Sequence, residues 1–145
     1  MKKFKFTLKS LLDLKLAMER QQKAELAEAR ARRDRFVRGL MAMEVRFDEQ
    51  RREYGRVGGP ACHSPDLALR DMGFRALFFH MDEQKERIRV AKEEGDRIQK
   101  KLIGLMTDRK ILEKLREKQR ERHREELQRE EAAMIDDFLT NQLRS

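Results

Sequence analysis

An interrupted stretch near the middle of the chain limits the possible folds more than any other feature. Residues 55–66 read Gly-Arg-Val-Gly-Gly-Pro-Ala-Cys-His-Ser-Pro-Asp and contain both prolines of the sequence. Gly-Gly-Pro ends a helix, because glycine is flexible and proline has no amide hydrogen to donate. The triplet at 64–66 is typical of a helix start, with Ser64 as the N-cap and Pro65 as the first helical residue. The sequence therefore predicts two helical arms joined by one turn.

The composition of the 145 residues favours a thin apolar seam over a thick core. Charged residues make up 43% of the chain and hydrophobic residues 39%, and most of the latter recur at helical spacing. No apolar run approaches the roughly 20 residues of a membrane span. Lysines interrupt the start of the chain, where a signal peptide would need apolar residues, and Cys62 has no second cysteine to pair with. We therefore expect an intracellular protein without a membrane span.

The first arm carries an apolar seven-residue repeat, which is typical of a coiled coil. Residues seven apart, and a second set three residues later, form the predicted seam: Leu12, Glu19, Leu26, Arg33, Leu40, Phe47 and Tyr54, with Ala29, Phe36 and Met43. Polar side chains interrupt it at Glu19, Gln22 and Arg33. Because the stretch from Leu26 to Tyr54 is the most regular, we expect the firmest packing near the turn.

The second arm has a matching seam with alternating spacings of three and four. Its residues are Leu77, Met81, Ile88, Ala91, Ile98, Leu102, Leu105 and Leu112, with interruptions at Gln84, Gly95 and Arg109. Together the arms predict one all-α domain over residues 1–145, a long antiparallel two-helix coiled-coil hairpin with the C-terminal helix longer. Its predicted parts are a helix over about 7–56, a turn over 57–64 and a helix over about 65–140.

The second arm is predicted to extend beyond the first. Folding at about residue 60 would place Phe47 near Phe74 and Leu12 near Lys110. At 1.5 Å per residue the arms are roughly 75 and 110 Å long, so about twenty C-terminal residues have no partner helix. Residues 116–126 contain no apolar side chain, and an apolar stripe follows them: Leu127, Met134, Ile135, Phe138 and Leu139. A stripe without a partner in its own chain predicts binding to another protein.

The part of the chain near the turn contains more aromatic residues than a two-helix seam can bury. Phe78 and Phe79 flank the seam residue Leu77, so they cannot both face the other helix. Two alternatives follow for this pair. They pack at the edge of the seam, or they form a surface for a partner.

The sequence contains no pattern that predicts catalysis or a metal site. No P-loop, GxGxxG or HExxH motif occurs, and a single cysteine cannot form a paired-cysteine zinc site. His63, His80 and His123 are far apart in the sequence, and adjacent acidic residues point in different directions from a helix. We therefore expect no enzyme activity, no cofactor and no metal.

The charge and the repeat leave two further interpretations open. The net charge is +8, and residues 1–58 hold sixteen Lys/Arg against nine Asp/Glu, so the first arm could bind nucleic acid or an anionic surface. The nine interspersed acids and the lack of aromatic residues placed for base stacking oppose this hypothesis, so no nucleic-acid partner is expected. The chain could also be a scaffold coiled coil that dimerises through its long helices.

Three segments resemble one known family. They read Phe-Lys-Phe-Thr-Leu-Lys-Ser-Leu-Leu at 4–12, Leu-Glu-Lys-Leu-Arg-Glu-Lys at 112–118, and Glu-Glu-Ala-Ala-Met-Ile-Asp-Asp-Phe at 130–138. Together with the length and the hairpin layout, they make nearly the whole chain similar to the flagellar export protein FliJ. That family is the small coiled-coil component of the flagellar type III export ATPase complex.

The resemblance implies a coiled coil similar to the rotor stalk of rotary ATP synthases, with both chain ends in the centre of a hexameric export ATPase ring. It also implies contacts with the membrane export gate and with export chaperones, a role in flagellum biogenesis and motility, and a cytoplasmic location at the inner face of the membrane. The implied ring contacts are Phe4, Phe6, Leu8, Leu127, Met134, Ile135 and Phe138. The implied gate contacts are Met43, Phe47, Tyr54, Phe74, Phe78 and Phe79.

Overall fold

The computed structural model describes residues 3–57 and 64–144, most of which lie in two α-helices. Helix α1 spans Lys9–Val57 (49 residues) and helix α2 spans Ser64–Arg144 (81 residues). Within the described residues there is no β-strand. The predicted all-α hairpin with a longer C-terminal helix is confirmed. Most of the predicted turn, including Cys62 and His63, lies outside the described residues.

The two helices pack against each other in two compact units, and each unit contains part of both helices. The first unit comprises Met1–Gln21 and Lys101–Ser145, and the second comprises Gln22–Lys100. In the first unit Phe4 pairs with His123 and Lys15 with Asp108; in the second, Arg32 pairs with Glu94 and Phe47 with Phe74. Residue numbers rise along one helix as they fall along the other, so the packing in each unit is antiparallel.

A small apolar cluster holds the first unit together. Phe6, Leu12 and Leu112 are buried in it, and Phe4 and Leu16 pack against it. The amide of Lys9 donates a hydrogen bond to the carbonyl oxygen of Phe6 at 3.2 Å, which closes a turn just before α1. The burial of these side chains, at about 25 cal/mol per Å² of apolar area, attaches the N-terminal segment to α2.

Ion pairs fix the alignment of the helices in the first unit. Arg109 Nε donates to Glu19 Oε2 at 2.5 Å, and Arg109 Nη1 donates to Glu113 Oε1 at 3.0 Å. The hydrogen bond to Glu19 has the largest effect on Arg109, and the one to Glu113 the next largest. Both raise the pKa of the Arg109 guanidinium above its ordinary value, so the group stays positively charged. Lys15 Nζ donates to Asp108 Oδ2 at 3.1 Å. A shift of one helix along the other would leave the buried Glu19 carboxylate without its partner, which is strongly unfavourable.

We predict that Glu19→Ala lowers the thermal unfolding midpoint much more than Lys15→Ala does. Removing Glu19 leaves Arg109 without its cross-helix partner and opens a void in the seam. Lys15 and Asp108 form a more exposed pair, and such pairs contribute about 0–1 kcal/mol. Thermal denaturation followed by circular dichroism measures both changes. Equal midpoints for the two variants would contradict a role for Glu19 in the alignment.

The seam of the second unit is tightest away from the turn. Its buried apolar residues are Leu26, Ala29, Ile88 and Ala91, and its half-buried ones include Phe36, Leu40, Met43 and Phe47. The prediction of the firmest packing near the turn is therefore wrong. Alanine side chains let two helix backbones approach closely, whereas large rings extend past the edge of a two-helix seam and stay in contact with water.

Three polar residues that interrupt the predicted repeat lie inside the seam. Glu19, Gln22 and Gln84 are only 4–6% exposed. In the second unit, Gln84 Nε2 donates to the carbonyl oxygen of Phe36 at 2.9 Å, and Gln84 Oε1 accepts from Arg87 at 3.1 Å. Both ends of this buried amide are therefore hydrogen-bonded, as buried polar groups require, and the bond to Phe36 joins α2 to α1.

Gly39 provides the space that the Gln84 amide occupies. A Cβ atom at position 39 would lie 2.7 Å from Gln84 Nε2, which is far inside normal contact distance. At Gly104, by contrast, a Cβ atom would meet nothing within 4 Å. The glycine at 39 therefore permits a cross-helix hydrogen bond, whereas the glycine at 104 has no such function.

We predict that Gly104→Ala stabilises the protein by about 1 kcal/mol, because alanine has the higher helix propensity. Gly39→Ala should leave the free energy of unfolding unchanged. The hydrogen bond that is lost when Gln84 is displaced from Phe36 contributes about as much stability as the higher helix propensity of alanine adds. In a Gln84→Ala background the obstacle is absent, and Gly39→Ala should again stabilise by about 1 kcal/mol. Urea unfolding of the four combinations at positions 39 and 84 measures this coupling. Additive effects would contradict the proposed contact.

Candidate functional site

Each unit carries one exposed apolar surface at which the sequence predicts partner contacts. The first, here called the C-terminal tail, is residues 127–143 of α2 in the first unit. The second, here called the aromatic surface, consists of Phe47, Phe74, Phe78 and Phe79 in the second unit. Because neither surface forms a closed pocket, each suits a protein partner better than a small molecule.

The C-terminal tail is an amphipathic stretch of helix in contact with solvent. Every described residue from 128 to 144 is exposed. Five large apolar side chains in it are 51–88% exposed: Met134, Ile135, Phe138, Leu139 and Leu143. Helical spacing places Glu126, Glu130 and Asp137 together along one side of this stripe. The tail therefore presents an apolar face with an acidic flank, which suits an apolar groove with basic residues beside it.

The N-terminal residues are held close to the start of the tail. The rings of Phe4 and His123 lie 5.7 Å apart, and Phe4 also packs against the cluster around Phe6. Phe6 itself is buried there, so in this structure its side chain anchors the segment within the chain. Leu8 is exposed and Leu127 is half-buried. Of the predicted ring contacts, Met134, Ile135, Phe138 and Leu8 are thus the most accessible to a partner.

The aromatic surface combines packed and exposed rings. Phe47 lies edge-on to Phe74 and to Phe78, with ring centroids 5.5 and 5.8 Å away. The predicted proximity of Phe47 and Phe74 is confirmed. Phe78 packs at the seam edge yet stays 54% exposed, whereas Phe79 is 61% exposed and contacts the ring of His80 at 6.0 Å. Phe78 therefore lies at the seam edge, whereas Phe79 faces solvent.

Two predicted gate contacts remain, Met43 and Tyr54. Met43 is half-buried in the seam, and the side chain of Tyr54 lies outside the described part of the chain. Two exposed residues were missed by the sequence reasoning, namely Leu69 and Met72, which are 68% and 67% exposed. With Ala76 and Phe79 they follow spacings of three, four and three, which put them on one helix face. These four residues lie outside the seam repeat from which the sequence prediction was made, although their helical spacing is visible in the sequence.

No arrangement of side chains typical of a metal site occurs within residues 3–57 and 64–144. His80 Nδ1 lies 3.6 Å from Glu83 Oε2 on an exposed face, and His123 contacts the ring of Phe4. In the described part of the chain, neither helix contains an apolar stretch long enough to cross a membrane.

Comparison with known proteins gives one informative result. The family model described as "Flagellar FliJ protein" matches residues 4–145, which include both helices and both exposed surfaces. No curated protein and no solved structure matches the chain.

Proposed function

The chain belongs to the flagellar FliJ family of export-apparatus components, and from this membership we propose that it is a non-catalytic stalk and adaptor of the flagellar type III export machinery. Its N-terminal turns and C-terminal tail bind the centre of the export ATPase ring and promote the assembly or turnover of that ring. Its aromatic surface contacts the membrane export gate. The protein acts in the cytoplasm, at the inner face of the membrane.

The exposed apolar stripe of the C-terminal tail is the observation that supports ring binding most directly. Five apolar side chains in water raise the free energy of the isolated chain, and a partner that covers them recovers roughly 25 cal/mol per Å². The helix continues through the tail without a break to Arg144, so the stripe is already formed before binding. A preformed helix loses little conformational entropy on insertion into a groove.

A stalk made of two helices changes a ring through unequal contacts. A two-helix segment has no sixfold symmetry, so the six subunits around it meet different side chains. One subunit would face the apolar stripe while another would face Glu126, Glu130 and Asp137. Differential contacts of this kind shift the populations of the subunit conformations. The chain thereby affects ATP turnover although it supplies no group to the chemistry.

The aromatic surface supports the gate contact. Phe78 and Phe79 are held on one helix, and Phe78 is braced by its edge-on contact with Phe47. Rigid aromatic side chains are frequent anchors of protein interfaces, because they bury large areas at small entropic cost. Leu69 and Met72 extend the exposed apolar area along the same helix.

We predict that the full chain stimulates steady-state ATP hydrolysis by the cognate export ATPase, and that a chain ending at Glu126 does not. The point variant Phe138→Glu should weaken the apparent affinity at least about tenfold, as expected for the loss of an apolar anchor. Thr140→Glu is the matched control, since it adds the same charge to the polar side of the tail and should retain stimulation.

Two outcomes would contradict ring binding by the tail. Equal stimulation by Phe138→Glu and Thr140→Glu would place the contact elsewhere in the chain. An unchanged hydrolysis rate, combined with DNA binding that falls steeply with salt, would favour the nucleic-acid hypothesis instead.

We predict that Phe79→Asp weakens binding to the cytoplasmic domain of the export gate at least about tenfold. Val90→Asp is the matched control, since Val90 is also an exposed apolar residue of α2 but lies outside the aromatic surface. Isothermal titration calorimetry with the purified gate domain measures both affinities. If both variants bind like the natural chain, Phe79 is not part of the gate contact.

A further inference from the structure

A third apolar surface lies in the first unit, on one side of the helix pair. We call it the aliphatic edge, and it consists of four side chains that are 36–59% exposed: Leu11, Leu14, Ile111 and Leu115. Neither the seam nor the C-terminal tail includes these side chains. Grouped aliphatic side chains in contact with water indicate a surface that another molecule covers.

An ion pair across the seam shows that both helices contribute to the same side. Lys15 Nζ lies 3.1 Å from Asp108 Oδ2, so these two side chains meet along one edge of the pair. Leu11 precedes Lys15 by four residues, which puts it on the same face of α1. Ile111 and Leu115 follow Asp108 by three and seven residues, which puts them on the same face of α2. The aliphatic residues of the two helices therefore form one continuous surface.

The acidic residues closest in sequence lie on the far side of the helices. Asp13, Glu113 and Glu117 each come two residues after a residue of the aliphatic edge. A step of two residues turns a side chain by about 200° around a helix, so these carboxylates point away from the edge. On that far side Glu113 accepts a hydrogen bond from Arg109 at 3.0 Å. The first unit is therefore amphipathic across the pair of helices.

A basic depression continues the edge toward the N-terminal segment. Lys118 and Arg122 prolong the α2 stripe of the edge with spacings of three and four residues. Arg122 lines a shallow depression together with Lys3 and Lys5 of the N-terminal segment. One acid, Glu126, is among the lining residues, so positive charge predominates there. An aliphatic surface thus adjoins a surface that attracts anions.

We infer that the first unit binds an anionic lipid surface through the aliphatic edge and the basic depression. The aliphatic side chains enter the boundary between headgroups and acyl chains, and the basic groups lie against the lipid phosphates. Both helices lie along the membrane plane, and the face with Glu113 and Glu117 stays in water. Apolar residues beside lysine and arginine are typical of helices that bind at this boundary. Lysine stems cover apolar area while their ammonium groups reach the phosphates.

The composition of the edge favours lipid over a partner protein. Energetically important residues of protein interfaces are enriched in Trp, Tyr and Arg, and leucine is under-represented among them. The edge consists of leucine and isoleucine alone, whereas the aromatic surface of the second unit has the composition of a protein contact. Acyl chains cover aliphatic side chains of any arrangement, because a fluid bilayer requires no complementary shape.

The C-terminal tail is a poorer candidate for the same membrane, although its apolar stripe is also exposed. Residues 125–137 contain six acids and only Arg129. An anionic surface repels such a segment, since like charges at short range repel. The tail and the aliphatic edge therefore suit partners of opposite charge.

Co-sedimentation of the full chain with lipid vesicles tests the inference. The natural chain should bind vesicles of equal parts phosphatidylcholine and phosphatidylglycerol at least about tenfold more tightly than vesicles of phosphatidylcholine alone. Binding should weaken as salt is raised. Ile111→Glu should weaken binding at least about tenfold, because it removes buried methylene groups and adds a negative charge. Val90→Glu is the matched control, since Val90 is an exposed aliphatic residue of α2 in the second unit and should leave binding unchanged.

A second pair of variants tests the basic depression. Arg122→Gln should weaken binding to the anionic vesicles about fivefold, as expected for one basic residue at a charged membrane. Arg124→Gln removes the same charge two residues further along α2, on the other side of the helix, and should have little effect. Equal losses for these two variants would indicate a diffuse attraction of the whole basic segment and would overturn the assignment.

Three further outcomes would overturn the inference. The first is a natural chain that fails to sediment with either kind of vesicle, which would leave the edge to a partner protein. The second is equal binding by Ile111→Glu and Val90→Glu. The third is a loss of vesicle binding in Phe138→Glu, which would assign the membrane contact to the tail. Circular dichroism confirms that the variants remain helical.

The lipid contact and the proposed function fail separately. The vesicle experiment contains no ATPase and no gate protein, so its result does not depend on the ring or gate contacts. Phe138→Glu should lose ring stimulation and keep vesicle binding, whereas Ile111→Glu should lose vesicle binding.

Discussion

Two packed helices have only one interface between them, which limits how many apolar side chains they can bury. This limit explains why so many apolar side chains lie on the surface of the protein. A seam one or two side chains wide can bury Leu12, Ala29, Ala91 or Leu112, but it cannot enclose a ring such as Phe47. Every further apolar side chain remains in water unless another molecule covers it. In a larger globular domain an exposed leucine needs no explanation. Here the exposed residues are grouped in stripes and edges, and grouped apolar area indicates binding.

The polar residues of the seam determine where those surfaces lie. An apolar seam alone would tolerate a shift of one helix along the other, since one leucine resembles the next. The hydrogen bond from Gln84 to Phe36 and the ion pair of Glu19 with Arg109 are each satisfied in a single alignment. Burying these groups gains less than burying apolar ones would. The alignment of the two helices in turn determines which part of α2 has no helix packed against it. It also determines which side chains lie next to each other at the edges of the helix pair.

The sequence predicted the two helices and most seam positions, because the spacing of apolar residues and the positions of helix-breaking residues can both be read from neighbouring residues in the sequence. It also predicted the contact of Phe47 with Phe74 and the exposed apolar stripe of the tail, since both follow from counting residues out from one turn. The sequence did not predict which of the seam residues are buried. Glu19 and Gln84 look like defects in a repeat, and only the positions of Arg109 and Phe36 across the seam show that they are paired. Leu69 and Met72 were not predicted as surface residues, because they lie outside the main repeat and their exposure depends on how the other helix packs.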